Sequence, residues 1–220
     1  KMACGDPKAA ARLAILDPTL TISQPPRVTA CTGIDAIAHA VETAVTKRRT
    51  AVSWLYSREA LRLLVPAFPR VLQDPKDLDA RGQMLLGAAW AGTAIENSML
   101  GAAHAAANPL TAHHGVAHGE AVGLMLPAVV RFNAADPRVQ RVYAELAISA
   151  GLARPGDSPG AAVDALVKRM EELRALAGLP ELLSERGVSP SSFSNLAQEA
   201  AAQWTAGFNP RPVAASDFER

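Results

Sequence analysis

The stretch Ala30-Cys-Thr-Gly-Ile-Asp-Ala-Ile-Ala-His-Ala-Val-Glu42 decides the fold. Its larger apolar residues, Ile34, Ile37 and Val41, with Ala38 between them, recur at helical spacing rather than in the strict alternation of a strand. The pattern predicts a helix over residues 32–47, with Thr32 as N-cap and Asp35 three residues later. Asp35 and His39 are four apart, so they share one face and interrupt the apolar stripe. A carboxylate on such a face is expensive unless it is paired or bound to a metal. The pair by itself is compatible with a plain Asp–His hydrogen bond, an exposed helix pair or a metal site.

Working outward, the same helical reading extends over most of the chain. Helices are expected over residues 53–72 (with Pro66 as a kink or break), 77–100, 119–132, 138–150, 160–176 and 191–204. A short helical piece around His104 should end before Pro109, with residues 111–117 as a loop. Gly87-Ala-Ala-Trp-Ala-Gly92 carries small residues that would let neighbouring helices approach. Residues 154–160 and 208–212, rich in Pro and Gly, read as irregular. At the front, Arg12-Leu-Ala-Ile-Leu16 reads as a short strand, stopped by Asp17-Pro18 and followed by the extended connector Ser23-Gln-Pro-Pro-Arg27. The expectation is an all-α domain over 25–220 with a β stub and connector over 1–24.

Composition bounds the function. At 220 residues and 49% hydrophobic, the chain is long enough to bury a core without disulfide or metal staples. Lys and Arg, 22 in all, against 21 Asp and Glu give a net charge of +1. That balance speaks against a dedicated nucleic-acid binder and gives no reason to expect an anionic membrane partner. The longest uncharged apolar runs, 85–95 and 121–130, are too short to span a bilayer. Cys4 and Cys31 form no CxxC motif and fit a reducing cytoplasm, each as a small buried hydrophobe.

All five histidines lie between positions 39 and 118. His39, His104 and His118 sit among small or apolar residues; with Asp35 they make a plausible ligand set for a divalent transition metal. Such a set can leave a coordination position open for substrate. His114, also followed by glycine, competes with His118 on local pattern, and His113 and His114 read as loop residues near the mouth of the site.

Two stretches carry a family resemblance. Ala14-Ile-Leu-Asp-Pro18, Pro25 and Ala30 to Glu42 resemble the first signature of the iron-containing (group III) alcohol dehydrogenases. Gly101-Ala-Ala-His-Ala-Ala-Ala-Asn-Pro-Leu-Thr-Ala-His-His-Gly-Val-Ala-His-Gly119 resembles the second. The likeness continues at Leu126-Pro127, Arg131-Phe-Asn133 and Asn209-Pro-Arg211. It implies the dehydroquinate synthase-like helical fold, with Asp35, His39, His104 and His118 as metal ligands. It selects His118 over His114. The implied ion is Fe2+, with Zn2+ as the alternative, and the implied reaction is reversible hydride transfer between an alcohol or aldehyde and NAD or NADP.

In that family an α/β domain with a glycine-rich loop binds the cofactor. The 15 glycines here are scattered and form neither GxGxxG nor GGGS, so the resemblance covers the metal-binding half. It implies that residues 1–16 are the last strand or hairpin of a cofactor domain and that the chain alone is inactive. Many members carry a histidine four residues after the third ligand, where this chain has Asn108. Asn108 cannot titrate near neutral pH, so a histidine relay there is in doubt, but it can hydrogen-bond cofactor or substrate. Glu42 also matches the family, with a supporting or helix-surface role expected. A maleylacetate reductase-like, glycerol dehydrogenase-like or dehydroquinate synthase-like enzyme, or a non-catalytic metal-binding or oligomerisation module, are the alternatives. A cytoplasmic homo-oligomer acting on a small molecule is the expected setting.

Overall fold

The computed structural model describes residue 8 and residues 11–219. Nine α-helices follow one another among these residues: α1 (Pro26–Thr43), α2 (Ala51–Gln73), α3 (Leu78–Glu96), α4 (Ala102–His114), α5 (His118–Ala134), α6 (Pro137–Ser149), α7 (Pro159–Leu176), α8 (Phe193–Ala202) and α9 (Ala215–Phe218). Short 3-10 turns fill several joints, including Pro18–Thr21 and Trp204–Phe208.

α1 is the axis of the domain. It packs against α2, α3 and α5, and it is apolar around most of its circumference, with Ile34, Ile37, Ala38 and Val41 almost wholly buried. α4 packs between α5 and α8, and α6 pairs with α7. α2 is amphipathic: Ala60, Leu61, Leu64 and Phe68 are fully buried, while Arg58 and Arg62 pair with Glu59 along the outside. Each large apolar side chain buried this way contributes about 1.5–3 kcal/mol. Gly87 of α3 meets α2 closely, since a Cβ there would lie 2.7 Å from Leu64, whereas Gly92 has nothing within 4 Å.

Several elements differ from the sequence expectation. α1 begins at Pro26, and the Thr32 hydroxyl donates back to the Val28 carbonyl inside the helix instead of capping it. Pro at the first helical position costs no hydrogen bond, so Pro26 is a legitimate start. α2 begins earlier, at a capping box between Thr50 and Ser53, and runs through Pro66 and Pro69 to Gln73. α4 continues through buried Pro109 to His114 and stops at Gly115, whose φ of 63° suits glycine. His113 and His114 are therefore helical, not loop residues. In each case burial of the helix face outweighs the one lost backbone bond of an internal proline.

The expected strand at Arg12–Leu16 is not found: no strand occurs among the described residues, and Leu13 and Ile15 are exposed. A strand needs a neighbouring ladder to satisfy its amides, and no partner strand lies among them. Cys31 is a free, buried thiol, and Cys4 lies outside the described residues. No helix is long and apolar enough to cross a membrane, as far as the described residues go.

Candidate metal centre

α3, α6 and α7 start on side-chain caps: Asp77 to the Ala80 amide (2.9 Å), Asp136 to Arg138 (2.8 Å) and Ser158 to Ala161 (3.2 Å). α1, α4 and α5, which carry the candidate ligands, have no local side-chain cap. α4 is capped from a distance instead. The Glu42 carboxylate of α1 accepts from the Ala103 amide at 2.7 Å, and the Asn209 side-chain oxygen accepts from Ala102 at 3.3 Å. A buried carboxylate at a helix N-terminus is favoured by the helix dipole as well as by the hydrogen bond. Asn209 is itself held by Asn133, the two side-chain amides exchanging bonds of 2.7 and 3.0 Å. Arg211 stacks on Phe132 with its guanidinium 4.0 Å from the ring centroid and donates to the Phe132 carbonyl. The sequence resemblances at 131–133 and 209–211 are thus one contact.

α5 is fixed against α1 at its first turn. A Cβ on Gly119 would lie 1.9 Å from the Cys31 carbonyl oxygen, so only glycine allows the two backbones to approach this closely. One residue on, fully buried Glu120 accepts from Arg27 at 2.6 Å and from Arg186. Two guanidiniums neutralise this carboxylate, and they tie the start of α5 to the start of α1 and to the 3-10 turn Leu183–Arg186.

These constraints bring the candidate ligands together. Asp35 Oδ1 lies 3.2 Å from His104 Nε2, 3.4 Å from His39 Nε2 and 3.6 Å from His118 Nε2. Donor atoms of Asp35, His39 and His104 all lie within 4.8 Å of one another, and His118 joins through Asp35. The His39 and His104 rings stack at 4.9 Å, and the His118 ring tilts against His104 at 5.3 Å. Four ligands about 2.1 Å from one ion at tetrahedral corners are roughly 3.4 Å apart, so the separations around Asp35 fit a divalent ion held by three imidazoles and a carboxylate.

The second contact of His104 settles its orientation. Its Nδ1 donates to Glu42 at 2.5 Å, which leaves Nε2 facing Asp35. Such a carboxylate behind a ligating imidazole fixes the tautomer and raises the basicity of the ring. Burial alone would lower the His104 pKa, but the Glu42 charge and the hydrogen bonds to Asp35 and Glu42 raise it to about 9. Burial alone would raise the Asp35 carboxyl; the His104 hydrogen bond and the neighbouring histidines hold it well below the usual carboxylate range. The Asp35 and Glu42 carboxylates thus favour positive charge among these rings. Glu42 deserved more weight than its sequence position gave it: Asp35, His39 and Glu42 lie at i, i+4 and i+7 on one helix face.

The other expected residues lie elsewhere. Asn108, one turn past His104, donates to Gln203 at 3.0 Å. His113 pairs with Glu199 at 2.7 Å on the surface, and neither it nor His114 joins the triplet. Side chains of Asp35, His39 and His118 retain 18%, 15% and 23% of their exposure against 3% for His104, so the cluster opens on the His118 side. Neither of two cavities, about 530 Å³ beside the α1–α2 turn and about 280 Å³ under α8 and α9, is lined by the four residues.

Comparison with known proteins places this geometry in context. Residues 29–220 match the model of the Fe-containing alcohol dehydrogenase family, C-terminal. The chain is 35% identical over 205 residues to 1-propanol dehydrogenase of Salmonella typhimurium, covering 91% of this chain and 55% of that protein. It is 32% identical to lactaldehyde reductase of Escherichia coli, covering 99% and 56%. Among solved structures, a 1,3-propanediol oxidoreductase superposes with a TM-score of 0.87 at 31% identity, covering 92% of this chain and 53% of that one. An iron-containing alcohol dehydrogenase from Thermococcus thioreducens gives 0.86 at 27% identity, with 97% and 54% covered. The chain therefore spans about half the length of these relatives.

Proposed function

From the premise that the chain belongs to the Fe-containing alcohol dehydrogenase family, we propose that it supplies the metal centre of an NAD(P)-dependent alcohol or aldehyde oxidoreductase. The observation that carries this reading is the convergence of Asp35, His39, His104 and His118, with Glu42 behind His104.

These four residues would hold a divalent ion, Fe2+ by family and Zn2+ by the chemistry of the donor set. When bound, the ion supplies Lewis acidity toward the alcohol or carbonyl oxygen during hydride transfer. The protein's part is positional. Asp35 contributes the single negative charge facing the three imidazoles. Glu42 keeps the Nδ1 proton on His104, so that Nε2 points inward. The exposed edges of Asp35, His39 and His118 give a small substrate access from one side. Asn108 follows His104 by one turn, and we assign it a hydrogen bond to substrate or cofactor, not proton transfer, because an amide does not titrate. His113 and His114 lie farther along the same helix, in its last turn, and no role in the site is assigned to them.

On this reading residues 25–220 are the metal-binding domain, and residues 1–24 are a remnant of the domain that would bind NAD or NADP together with its connector. The whole protein would act as a cytoplasmic homo-oligomer. Elemental analysis and an alcohol and aldehyde panel on the full-length gene product test the proposal. His104→Ala and His118→Ala should each lose most of the bound metal; wild-type occupancy in both would refute the ligand set. Metal-loaded protein that turns over no alcohol or aldehyde with either cofactor would favour a non-catalytic module. The 220-residue chain alone should bind metal without turning over NAD(P).

A further inference from the structure

The three helices that carry the candidate ligands are joined at one point, the N-cap of α4. Gly101 holds that position, and its φ of −125° is open to any residue. A serine, threonine, asparagine or aspartate there would close the helix from within, as Asp77, Asp136 and Ser158 close α3, α6 and α7. Glycine supplies no such side chain. The reason lies in its surroundings: a Cβ on Gly101 would lie 3.0 Å from Glu42 Oε1 and 3.1 Å from Asn209 Oδ1. These two oxygens occupy the space that a local cap would need.

Each oxygen takes one of two successive amides, Ala103 to Glu42 at 2.7 Å and Ala102 to Asn209 at 3.3 Å. Glu42 belongs to α1, which also carries Asp35 and His39. Asn209 is joined to Asn133 in the last turn of α5, the helix that begins with His118. The start of α4 is thus tied to both other ligand-bearing helices. Asn209 is 1% exposed and uses every donor and acceptor of its side chain. Its Nδ2 donates to Asn133 Oδ1 at 2.7 Å and to the Arg211 carbonyl at 2.8 Å, and its Oδ1 accepts from Asn133 Nδ2 at 3.0 Å and from Ala102. Turning the amide over would set donor against donor at Ala102, so its orientation is fixed.

The Glu42 carboxylate divides between consecutive residues of α4: one oxygen takes the Ala103 amide, the other takes the His104 Nδ1 proton at 2.5 Å. A shift of α4 along α1 breaks one bond or the other. A local cap would satisfy the α4 amides but set no register between α4 and α1. We propose that Gly101 and Asn209 are positioning residues of the metal centre. They fix α4 against α1 and α5, and they act on the ion through Glu42 and His104. The assignment rests on the ligand set proposed above and adds two residues that offer the ion no donor atom.

The test is titration of the metal-free, full-length protein with Co2+, whose visible absorption reports the identity and angles of its ligands. Competition with a chelator gives the affinity, and thermal midpoints of the metal-free variants give stability. Asn209→Ala removes the acceptor of one amide. Gly101→Ser offers α4 a local cap but sets a Cβ against Glu42 and Asn209. Each should weaken Co2+ about tenfold, as expected for groups that orient a metal ligand, and alter its spectrum. Leu166→Ala, at a fully buried position of α7, should lower the thermal midpoint at least as far and leave affinity and spectrum unchanged. Should Asn209→Ala fail to fold, Gly101→Ser decides alone. A folded Gly101→Ser protein with wild-type Co2+ affinity and spectrum would overturn the proposal. So would an equal loss in Leu166→Ala, which would mark the effect as general destabilisation. Wild-type protein that takes up no Co2+ would overturn the ligand set, and this assignment with it.

Discussion

Replacing Glu42 with glutamine tests how the metal centre is held. The substitution keeps the length and volume of the side chain and removes its charge. The amide oxygen can still accept from Ala103, so the α4 start retains that bond of 2.7 Å. The amide nitrogen then faces His104 Nδ1, where a carboxylate now accepts at 2.5 Å. Two donors cannot share that contact, so the His104 proton moves to Nε2, the atom that faces Asp35 and would ligate the ion. Loss of a carboxylate behind a metal-bound histidine costs roughly 10–100-fold in metal affinity, which corresponds to about 1.4–2.7 kcal/mol. Competition against a chromophoric chelator at fixed pH reads this directly, with circular dichroism checking that the helices remain. A folded Glu42→Gln protein that holds metal as tightly as wild type would refute the reasoning.

Other consequences are sharper in sign than in size. Gly119→Ala forces a Cβ into the Cys31 backbone and should destabilise by about 1–3 kcal/mol while also lowering metal occupancy, whereas Gly92→Ala meets nothing within 4 Å and should stabilise by roughly 0.5–1 kcal/mol; thermal midpoints separate the two. In metal-free protein the raised His104 pKa contributes stability that is full below its ordinary value of 6.5 and lost as pH rises through about 9. The lowered Asp35 pKa contributes above its ordinary value of 3.8 and is lost on acidification. Chelator-treated protein should therefore be most stable between those two ordinary values, with a decline toward alkaline pH that saturating metal removes, because the ion replaces the proton. A flat metal-free profile of thermal midpoint between pH 6 and 10 would count against this account.

The helical class and the clustering of the four candidate side chains were legible because both follow from periodicity and motif spacing. Asp35 and His39 interrupt an apolar stripe at a spacing that only a helix makes adjacent, and the second motif separates His118 from His114 where local pattern could not. Internal prolines were read too strictly. Pro66, Pro69 and Pro109 all lie inside helices: Pro109 is itself buried, and exposed Pro66 and half-buried Pro69 sit in α2, whose opposite face is buried, so that packing outweighs the missing N–H. What local reading could not supply was contact at long range. Nothing near Gly101 indicates that α4 is capped by Glu42 and Asn209, and nothing near Glu120 names Arg27 and Arg186 as its partners. The strand at Arg12–Leu16 failed for a related reason: its residues have strand character, but a strand is a property of pairs.

The distant capping of α4 also bears on the order in which this molecule can assemble. The carboxylate that orients His104 arrives from 62 residues upstream of it, and the amide that accepts from Ala102 from 107 residues downstream of that residue. Contacts of such separation close late, after the chain entropy of long loops has been overcome. A partly folded chain with α1, α2 and α3 docked would present Asp35 and His39 alone, a weak two-donor site. Tight metal binding would then reward only the finished fold, making the ion a ligand that selects complete molecules over intermediates.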